Sequence, residues 1–454
     1  MRVRSVVFGL GLCLAASAAL ADPQNAAALR DWALDDGTAW TLLESLTSEI
    51  GPRPAGTPAA ARARDWAVAH MKTLGFTNVH AEPFAKAAWL RDGESAEVVA
   101  PAPLKLALLG LGNSPSTPPG GITAEVVVLE SLAQLKAAPA DAFKGKIVLV
   151  NQPMIRTQDE SGYASGVAVR YGVSEAARRG AVAYLVRSIA TGTGRAPHTG
   201  ATIYAENTPK IPAAALGVPD ADTLAYLAGR GPVRLHLSLQ SHVVRTTAWN
   251  ISGDIAGREP GPAIVIGGHI DSWDPGTGAI DDGAGVAITM AAAYLIGQGP
   301  HHPRHTIRVV LWGSEETGGA GAAYLEAHKN ELGAIAVASE SDLGADRVYS
   351  LQLPAGAWDA PDIAPLETIL APLKIIAARE PAQEAGSDVG NMHAAGVPVF
   401  ALHQDASRYF DYHHTSDDTL AIVDPVQLHQ NVAAWAATLS VLADSNFDFR
   451  KGGK

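Results

Sequence analysis

The chain has 454 residues, 47% hydrophobic and 18% charged, so it is globular and too long for one simple core. Its formal charge of −12 argues against nucleic acid as a partner, since no basic surplus exists to neutralise phosphates. A single cysteine, Cys13, excludes an internal disulfide.

Residues 1–21 read as a signal peptide: Arg2 and Arg4, an apolar run from Val6 to Ala18, and the small-residue site Ala19-Leu20-Ala21 before Asp22. The run is too short to span a bilayer. Bulky Leu12 before Cys13 argues against a lipoprotein site. Cleavage leaves 32 basic residues against 46 acidic ones, a net charge of −14, and no thiol. No other stretch reads as long and apolar enough to cross a membrane. The protein is therefore expected to be secreted or periplasmic, without stable membrane insertion.

Helices are predicted over Thr38–Ile50 and from about Ala59 to Leu74, separated by the breaker Gly51–Pro58. Strands follow at Phe76–Phe84 and Leu104–Leu111. Gly112–Gly121, rich in Gly, Pro, Ser and Thr, reads as a linker. Short strands (Ala124–Leu129, Lys146–Val150, Ala181–Val186, Ala213–Leu216) then alternate with helices (Tyr171–Arg179, Asp220–Ala228), ending near Leu237–Gln240. This block, residues 112–245, reads as an inserted domain of ordinary size. The main domain, residues 22–111 and 246–454, then resumes. Strands Ala263–Ile266, Thr306–Leu311, Ala334–Ala338 and Val397–Leu402 alternate with helices Gly283–Ile296, Gly321–Lys329, Asp362–Leu373 and Pro425–Leu442. That alternation is the α/β signature: a mixed, mostly parallel sheet flanked by helices.

Chemistry gathers after the apolar strands, where α/β sheets place their sites. His269 and Asp271, two apart in extended backbone, face the same way; Asp271 can accept the second ring N–H of a metal-bound His269. Asp281-Asp282-Gly283 opens a helix, where one Asp can cap and the other bridge metals. Glu315-Glu316 are adjacent carboxylates that a cation would stabilise; one can ligate while its neighbour takes a proton from the attacking water. His413-His414 precede Thr415, with aromatic Tyr409, Phe410 and Tyr412 upstream. Each has a plainer reading when taken alone: a strand-end His–Asp pair, a helix cap, an acidic turn, surface histidines. A His with several carboxylates and no thiol suits a zinc-type site with a position open to water. His301, His302 and His305 flank Pro303 and read as solvated. Gly-x-Ser-x-Gly, His-Glu-x-x-His and Walker sequences are missing.

In this order the motifs resemble the co-catalytic di-zinc exopeptidases, whose pattern is His-x-Asp, a bridging Asp, Glu-Glu, Asp, then His. Gly268–Asp274, Leu311-Trp312, Glu340-Ser341-Asp342 and His413-His414 resemble the carboxypeptidase Q group within them, as do Ile147–Pro153 and Pro197–Gly200 of the inserted block. The resemblance implies two Zn2+ per chain. His269, Asp281 and Asp342 would hold one, and Asp281, Glu316 and His414 the other. It also implies Glu315 as general base, a protease-associated domain in the insertion, a cis peptide at Asp281–Asp282, homodimers, and a dipeptide or short-peptide substrate. Physically, two metals about 3.5–4 Å apart polarise the carbonyl, while Glu315 moves the water's proton to the leaving amine. Asp271 supports the site, and Tyr412 or His413 steadies the oxyanion. The alternatives are an aminopeptidase acting on longer peptides and a non-catalytic receptor on the same fold; such receptors have lost ligands or the Glu pair, and here all are present.

Overall fold

The computed structural model describes residues 23–300 and 302–452, so the expected signal peptide and His301 lie outside the described residues. A two-stranded ribbon runs the length of the molecule. Its strands, β1 (Thr77–Ala100) and β2 (Arg234–Ile255), pair antiparallel from Thr77 opposite Asp254 to Ala100 opposite Arg234. Since β1 occupies one edge of β2 throughout, the other strands of this sheet pair with its other edge; a separate three-stranded sheet holds Ile376–Ala378, Val348–Gln352 and Ala401–Gln404.

At the C-terminal half of β2 hangs the main sheet. It contains β3 (Ala263–His269), β4 (Ile307–Trp312) and β5 (Ile335–Glu340), in the spatial order β5-β3-β4-β2. The first three are mutually parallel, and β4 is antiparallel to β2. At the N-terminal half of β2 hangs Ile122–Leu129, followed by the parallel strands Ile147–Val150, Ala183–Arg187 and Ala213–Leu216. Hydrogen bonding is thus continuous across the molecule, and the expected boundary at 245–246 falls inside β2.

The apolar cores, in contrast, are separate. Ile264 and Ile266 of β3 face one cluster; Val265 between them faces another with Trp312, Tyr324 and Val399. Alternate residues therefore bury on opposite faces, which is why the strand reads as one apolar run. In the insertion, Ile147 and Leu149 bury on one face, Val148 and Val150 on the other. Helices Thr38–Ser45, Pro58–Thr73, α2 (Ala284–Gln298) and α3 (Pro425–Asp444) pack into the first main face, and α1 (Pro23–Asp35) packs on α2 and α3. The helical stretch Ala279–Gln298 is, by length and composition, apolar enough to cross a membrane, which corrects the expectation that no such stretch exists. It is almost wholly buried, and a helix apolar on every side is what the centre of a large core requires.

Other expectations change for physical reasons. The strand expected at Phe76–Phe84 is Thr77–Ala100; the ribbon is half exposed and its apolar residues follow no strict alternation. The helix expected at Tyr171–Arg179 is Val173–Arg178, and a helix the pattern did not suggest, Tyr163–Arg170, precedes it. The last sheet strand is Ala401–Gln404, and it pairs with Val348–Gln352, a strand the pattern did not suggest. His305 is half-buried rather than solvated, its main-chain N–H bonded to Ala443 O at 2.9 Å. Gly112–Gly121 is no free linker at its start. Trp89 Nε1 donates to Ser114 O at 2.9 Å, and Ser114 Oγ accepts from Ala213 N at 2.8 Å. A Cβ on Gly112 would lie 2.4 Å from the Trp273 ring, so this glycine serves close approach.

The breaker Gly51–Pro58 has a positive role. It feeds the fully buried Arg53 into the loop between β3 and α2. Arg53 donates to Ile270 O (2.5 Å), Thr277 O (2.6 Å) and Gly278 O (2.9 Å). Arg53→Met leaves these carbonyls without that donor, at about 1–3 kcal/mol for each group left buried and unpaired. Thermal unfolding should show a lowered Tm, while Arg62→Met, at an exposed position, should change it little. Equal Tm values for the two variants would refute the anchoring role.

Candidate metal centre

The strand ends of the main sheet deliver the site. β3 ends at His269, β4 leads to Glu315-Glu316, and β5 leads to Asp342. The segment between β3 and α2 brings Asp281, whose peptide bond to Asp282 is cis. Gly268 and Gly285 let α2 sit directly on the end of β3: a Cβ on Gly268 would lie 2.4 Å from Asp282 Oδ2, and one on Gly285 1.8 Å from Ser341 O.

Asp281 stands between two imidazoles. Its Oδ1 is 3.0 Å from His269 Nε2, and its Oδ2 is 3.0 Å from His414 Nε2. His269 Nε2 also lies 3.3 Å from Asp342 Oδ1, and His414 Nε2 2.9 Å from Glu316 Oε2. Two donor sets sharing one carboxylate result: His269, Asp281, Asp342 and His414, Asp281, Glu316. Asp281 Oδ2, although close to His414, makes no hydrogen bond of acceptable geometry. Its lone pair and the ring nitrogen converge on shared space, as ligands do. Imidazole and carboxylate donors without thiolate suit a borderline or hard divalent ion, so the residues fit the implied metal.

The neighbours hold rather than ligate. Asp282 has a candidate ligand atom near His269 and Asp342. Both its oxygens, however, are engaged by main-chain N–H groups, His269 N at 3.0 Å and Gly285 N at 2.9 Å. Asp418 Oδ1 accepts from Ala279 N and Ile280 N, each at 2.8 Å, fixing the segment that carries Asp281. Asp271 Oδ1 accepts from Glu315 N at 2.9 Å. His269 Nδ1 is closer to the main-chain carbonyl of Asp271 (3.0 Å) than to its carboxylate (3.6 Å), so the expected carboxylate partner is replaced by the carbonyl of the same residue. Glu316 Oε1 is tied to Trp273 N at 3.2 Å.

His413 and His414 differ sharply. Their rings stack at 3.5 Å, but His414 adopts φ +61° and enters the carboxylates. His413 packs among the rings of Tyr163, Tyr409 and Phe410, its Nε2 3.5 Å from Asp281 Oδ2. Burial, and then the adjacent His414, hold His413 well below the usual imidazole range. Burial works against His414 too, but Glu316 and Asp281 outweigh it and raise it.

The carboxylates are under electrostatic load. Burial, with Asp342, Asp271 and Asp281 adding to it against His269, pushes Glu315 up to about 7. Burial and Asp281 push Glu316 up to about 8. Burial also raises Asp342. Burial acts to raise Asp281 as well, but His413, His414 and His269 hold it well below the usual range. Several acids share this space, and among the described residues no Lys or Arg forms a salt bridge with Asp281, Glu315, Glu316 or Asp342; a divalent cation is the charge that relieves the crowding.

Over these residues lies a cavity of about 500 Å³. Asp281, Glu315, Glu316, Asp342, His413 and His414 line one side. Tyr163, Arg170, Tyr171 and Ile203, from residues 112–245, line the cavity as well. The insertion also touches the site through Thr199, whose carbonyl lies 3.3 Å from His414 Nδ1 and whose N–H donates to His414 O at 3.1 Å. Tyr412 lies away from this cavity, against Ile280, Leu343 and Arg408. Sequence reasoning gave no role to Asp418, Thr199 or Arg170. The segment Pro197–Gly200 was the one available signal for the insertion's contact.

The chain matches the model of peptidase family M28 over residues 250–439. It is 36% identical over 404 residues to carboxypeptidase Q of Mus musculus, covering 88% of this chain and 84% of the relative. The crystal structure of a peptidase M28 precursor from Shewanella amazonensis SB2B superposes with a TM-score of 0.90 at 39% identity, over 94% of this chain and 97% of that one. A zinc aminopeptidase from Bacillus subtilis shares the fold at TM-score 0.64 and 19% identity, over 88% of this chain and 94% of its own. The non-catalytic alternative does not stand beside the intact donor sets and these relatives: the chain belongs to peptidase family M28 and, within it, to the carboxypeptidase Q group, and it is a metallopeptidase of the exopeptidase type.

Proposed function

We propose that the protein is an exported di-zinc exopeptidase that hydrolyses dipeptides or short peptides. The observation carrying this reading is the single carboxylate, Asp281, with one oxygen 3.0 Å from each of two histidines that have separate acidic partners. His269, Asp281 and Asp342 hold one zinc; Asp281, Glu316 and His414 hold the other. Zinc, when bound, polarises the scissile carbonyl and lowers the pKa of the attacking water. Glu315, in the cavity wall, takes that water's proton as the C–O bond forms, and returns it to the amine nitrogen as the C–N bond breaks. Its pKa of about 7 before metal binding marks a carboxylate environment sensitive to added positive charge. Asp271 fixes the Glu315 main chain. His413, buried and neutral, steadies the oxyanion. Residues 112–245 form a protease-associated domain that walls the cavity, which favours short peptides over the longer substrates of an aminopeptidase. Homodimer formation belongs to the same reading.

Glu315→Gln keeps shape and should retain metal and folding, while turnover of free dipeptides falls by about 10²–10⁴-fold or more. KM should move little if binding and chemistry are separable. Glu316→Gln should lose metal, since a neutral amide is a poor zinc ligand. Zinc stoichiometry and kcat on free and N-blocked dipeptides decide this. Reversed metal contents reverse the two roles, and full activity in both variants sinks the hydrolase reading.

His414→Ala should lower metal content, and His413→Ala should leave it intact while slowing turnover. Metal loss confined to the His413 variant would place the ligand one residue earlier.

Export predicts a mature protein that begins at Asp22. N-terminal sequencing of secreted or periplasmic material reads this directly, and an intact Met1 on that material contradicts it.

A further inference from the structure

The turn that carries Glu315 and Glu316 has little packing to hold it. It leaves β4 after Trp312 and closes where Gly318 N donates to Glu315 O at 2.7 Å. Gly318 and Gly319 adopt φ +74° and +111°, and a Cβ on either would meet nothing within 4 Å. These glycines therefore serve the backbone path, not close approach. The Glu315 carboxylate accepts no hydrogen bond among the described residues, so its aim depends on its main chain. Glu316 is steadied separately, by Trp273 N on Oε1 and by His414 beside Oε2. A group that must meet a reacting atom has to be placed to a fraction of an ångström, and some contact outside the turn must do this.

The ribbon supplies that contact. Glu82, Phe84 and Lys86 are partly buried, while Pro83, Ala85 and Ala87 between and after them are exposed. Alternate residues share a face, and this face of β1 meets the turn and the helix that follows it, Ala320–His328. Glu82 Oε2 lies 3.0 Å from His328 Nε2 at the end of that helix, and Phe84 packs on the cluster of Trp312, Ala320 and Tyr324. Lys86 Nζ donates to Thr317 O at 3.0 Å and to Gly318 O at 2.6 Å. No carboxylate forms an ion pair with it among the described residues, and burial, opposed by Asp271 and Asp388, holds it below the usual lysine range. Lysines ordinarily keep their ammonium in water, so a half-buried one bonded to two carbonyls of a single turn is placed there at a cost. Asp271 grips the start of the turn through Glu315 N, and Lys86 grips its end.

We infer that Lys86 is a positioning residue for the general base: from β1 it fixes the end of the Glu315–Gly318 turn and so keeps the Glu315 carboxylate aimed at the attacking water, without touching substrate or metal. This rests on the reading of Glu315 as the base.

The test uses zinc-loaded enzyme and L-alanyl-L-alanine, with Lys86→Met, Lys86→Arg, Glu315→Gln and the double variant of Lys86→Met with Glu315→Gln. Lys86→Met should lower kcat by about 10–100-fold, the effect of a reacting group displaced by about 1 Å, with KM and zinc stoichiometry close to wild type. Lys86→Arg keeps the charge and the donors and should recover most of kcat. In the Glu315→Gln background, Lys86→Met should cost nothing further, because the group it aims is gone. If Lys86→Met does not fold, Lys86→Gln takes its place with the same expectations. Wild-type kcat in Lys86→Met overturns the inference. Zinc loss in that variant, or a full further loss in the double variant, overturns it too, since Lys86 would then support the metal site or the fold at large. Glu315→Gln with full activity sinks the base reading and this inference with it, whereas an inactive Glu315→Gln beside an unchanged Lys86→Met sinks this inference alone.

Discussion

Asp281 places one oxygen against each of two imidazoles while three more carboxylates, Glu315, Glu316 and Asp342, share the same buried space. Holding them there is the costliest thing this fold does. An uncompensated buried charge costs several kcal/mol, whereas one net hydrogen bond contributes about 1 kcal/mol. No single clamp offsets such a cost, so the surroundings apply many. Asp418 grips two N–H groups ahead of Asp281, Asp282 grips two around it, and Arg53 grips the carbonyls of the incoming loop. These contacts fix positions. They do not neutralise the charge, which is the part left to the metal.

The same logic explains why an inserted block sits over the site. The ribbon of β1 and β2 ties both sheets to one edge of one strand, so the insertion is braced by the main-chain ladder as well as by side chains. Thr199 then meets His414 twice, through its carbonyl and its N–H. A histidine whose Nδ1 faces a carbonyl presents Nε2 as the acceptor, which is the tautomer a metal needs. In the other donor set Asp271 does this for His269 through its main chain. One imidazole is thus oriented from within the main sheet and the other from the insertion.

How much of this was readable depends on where the information lies. The strands β3, β4 and β5 bury both faces, so their apolar runs and the polar residues just beyond them stand out in one dimension. The donor residues were legible for that reason. The ribbon was not, because a half-exposed strand leaves only a faint period, and most of β1 passed unrecognised. The order of His413 and His414 follows from a single positive φ, which composition does not encode. Arg170 and Thr199 were invisible as site residues: their importance comes from contacts with residues more than two hundred positions away.

Chemistry and selectivity consequently sit on different parts of the chain. The donors near Asp281 come from strand ends of the main sheet, except His414, which follows the short helix Tyr409–Tyr412, and their mutual geometry is fixed to within a hydrogen bond. A further part of the cavity wall comes from residues 112–245, with Tyr163, Arg170, Tyr171 and Ile203. Metal donors tolerate little displacement, so the main-sheet residues are tightly constrained by one another. The wall residues are constrained by what must fit between them and the metal centre. Changing the wall can therefore alter which peptide is held without disturbing how its bond is broken, provided Thr199 keeps its grip on His414. That contact, with the packing of Tyr163 against Phe410 and His413, is where the two parts of the cavity are not independent, and together they limit how far residues 112–245 can vary before the metal centre is affected.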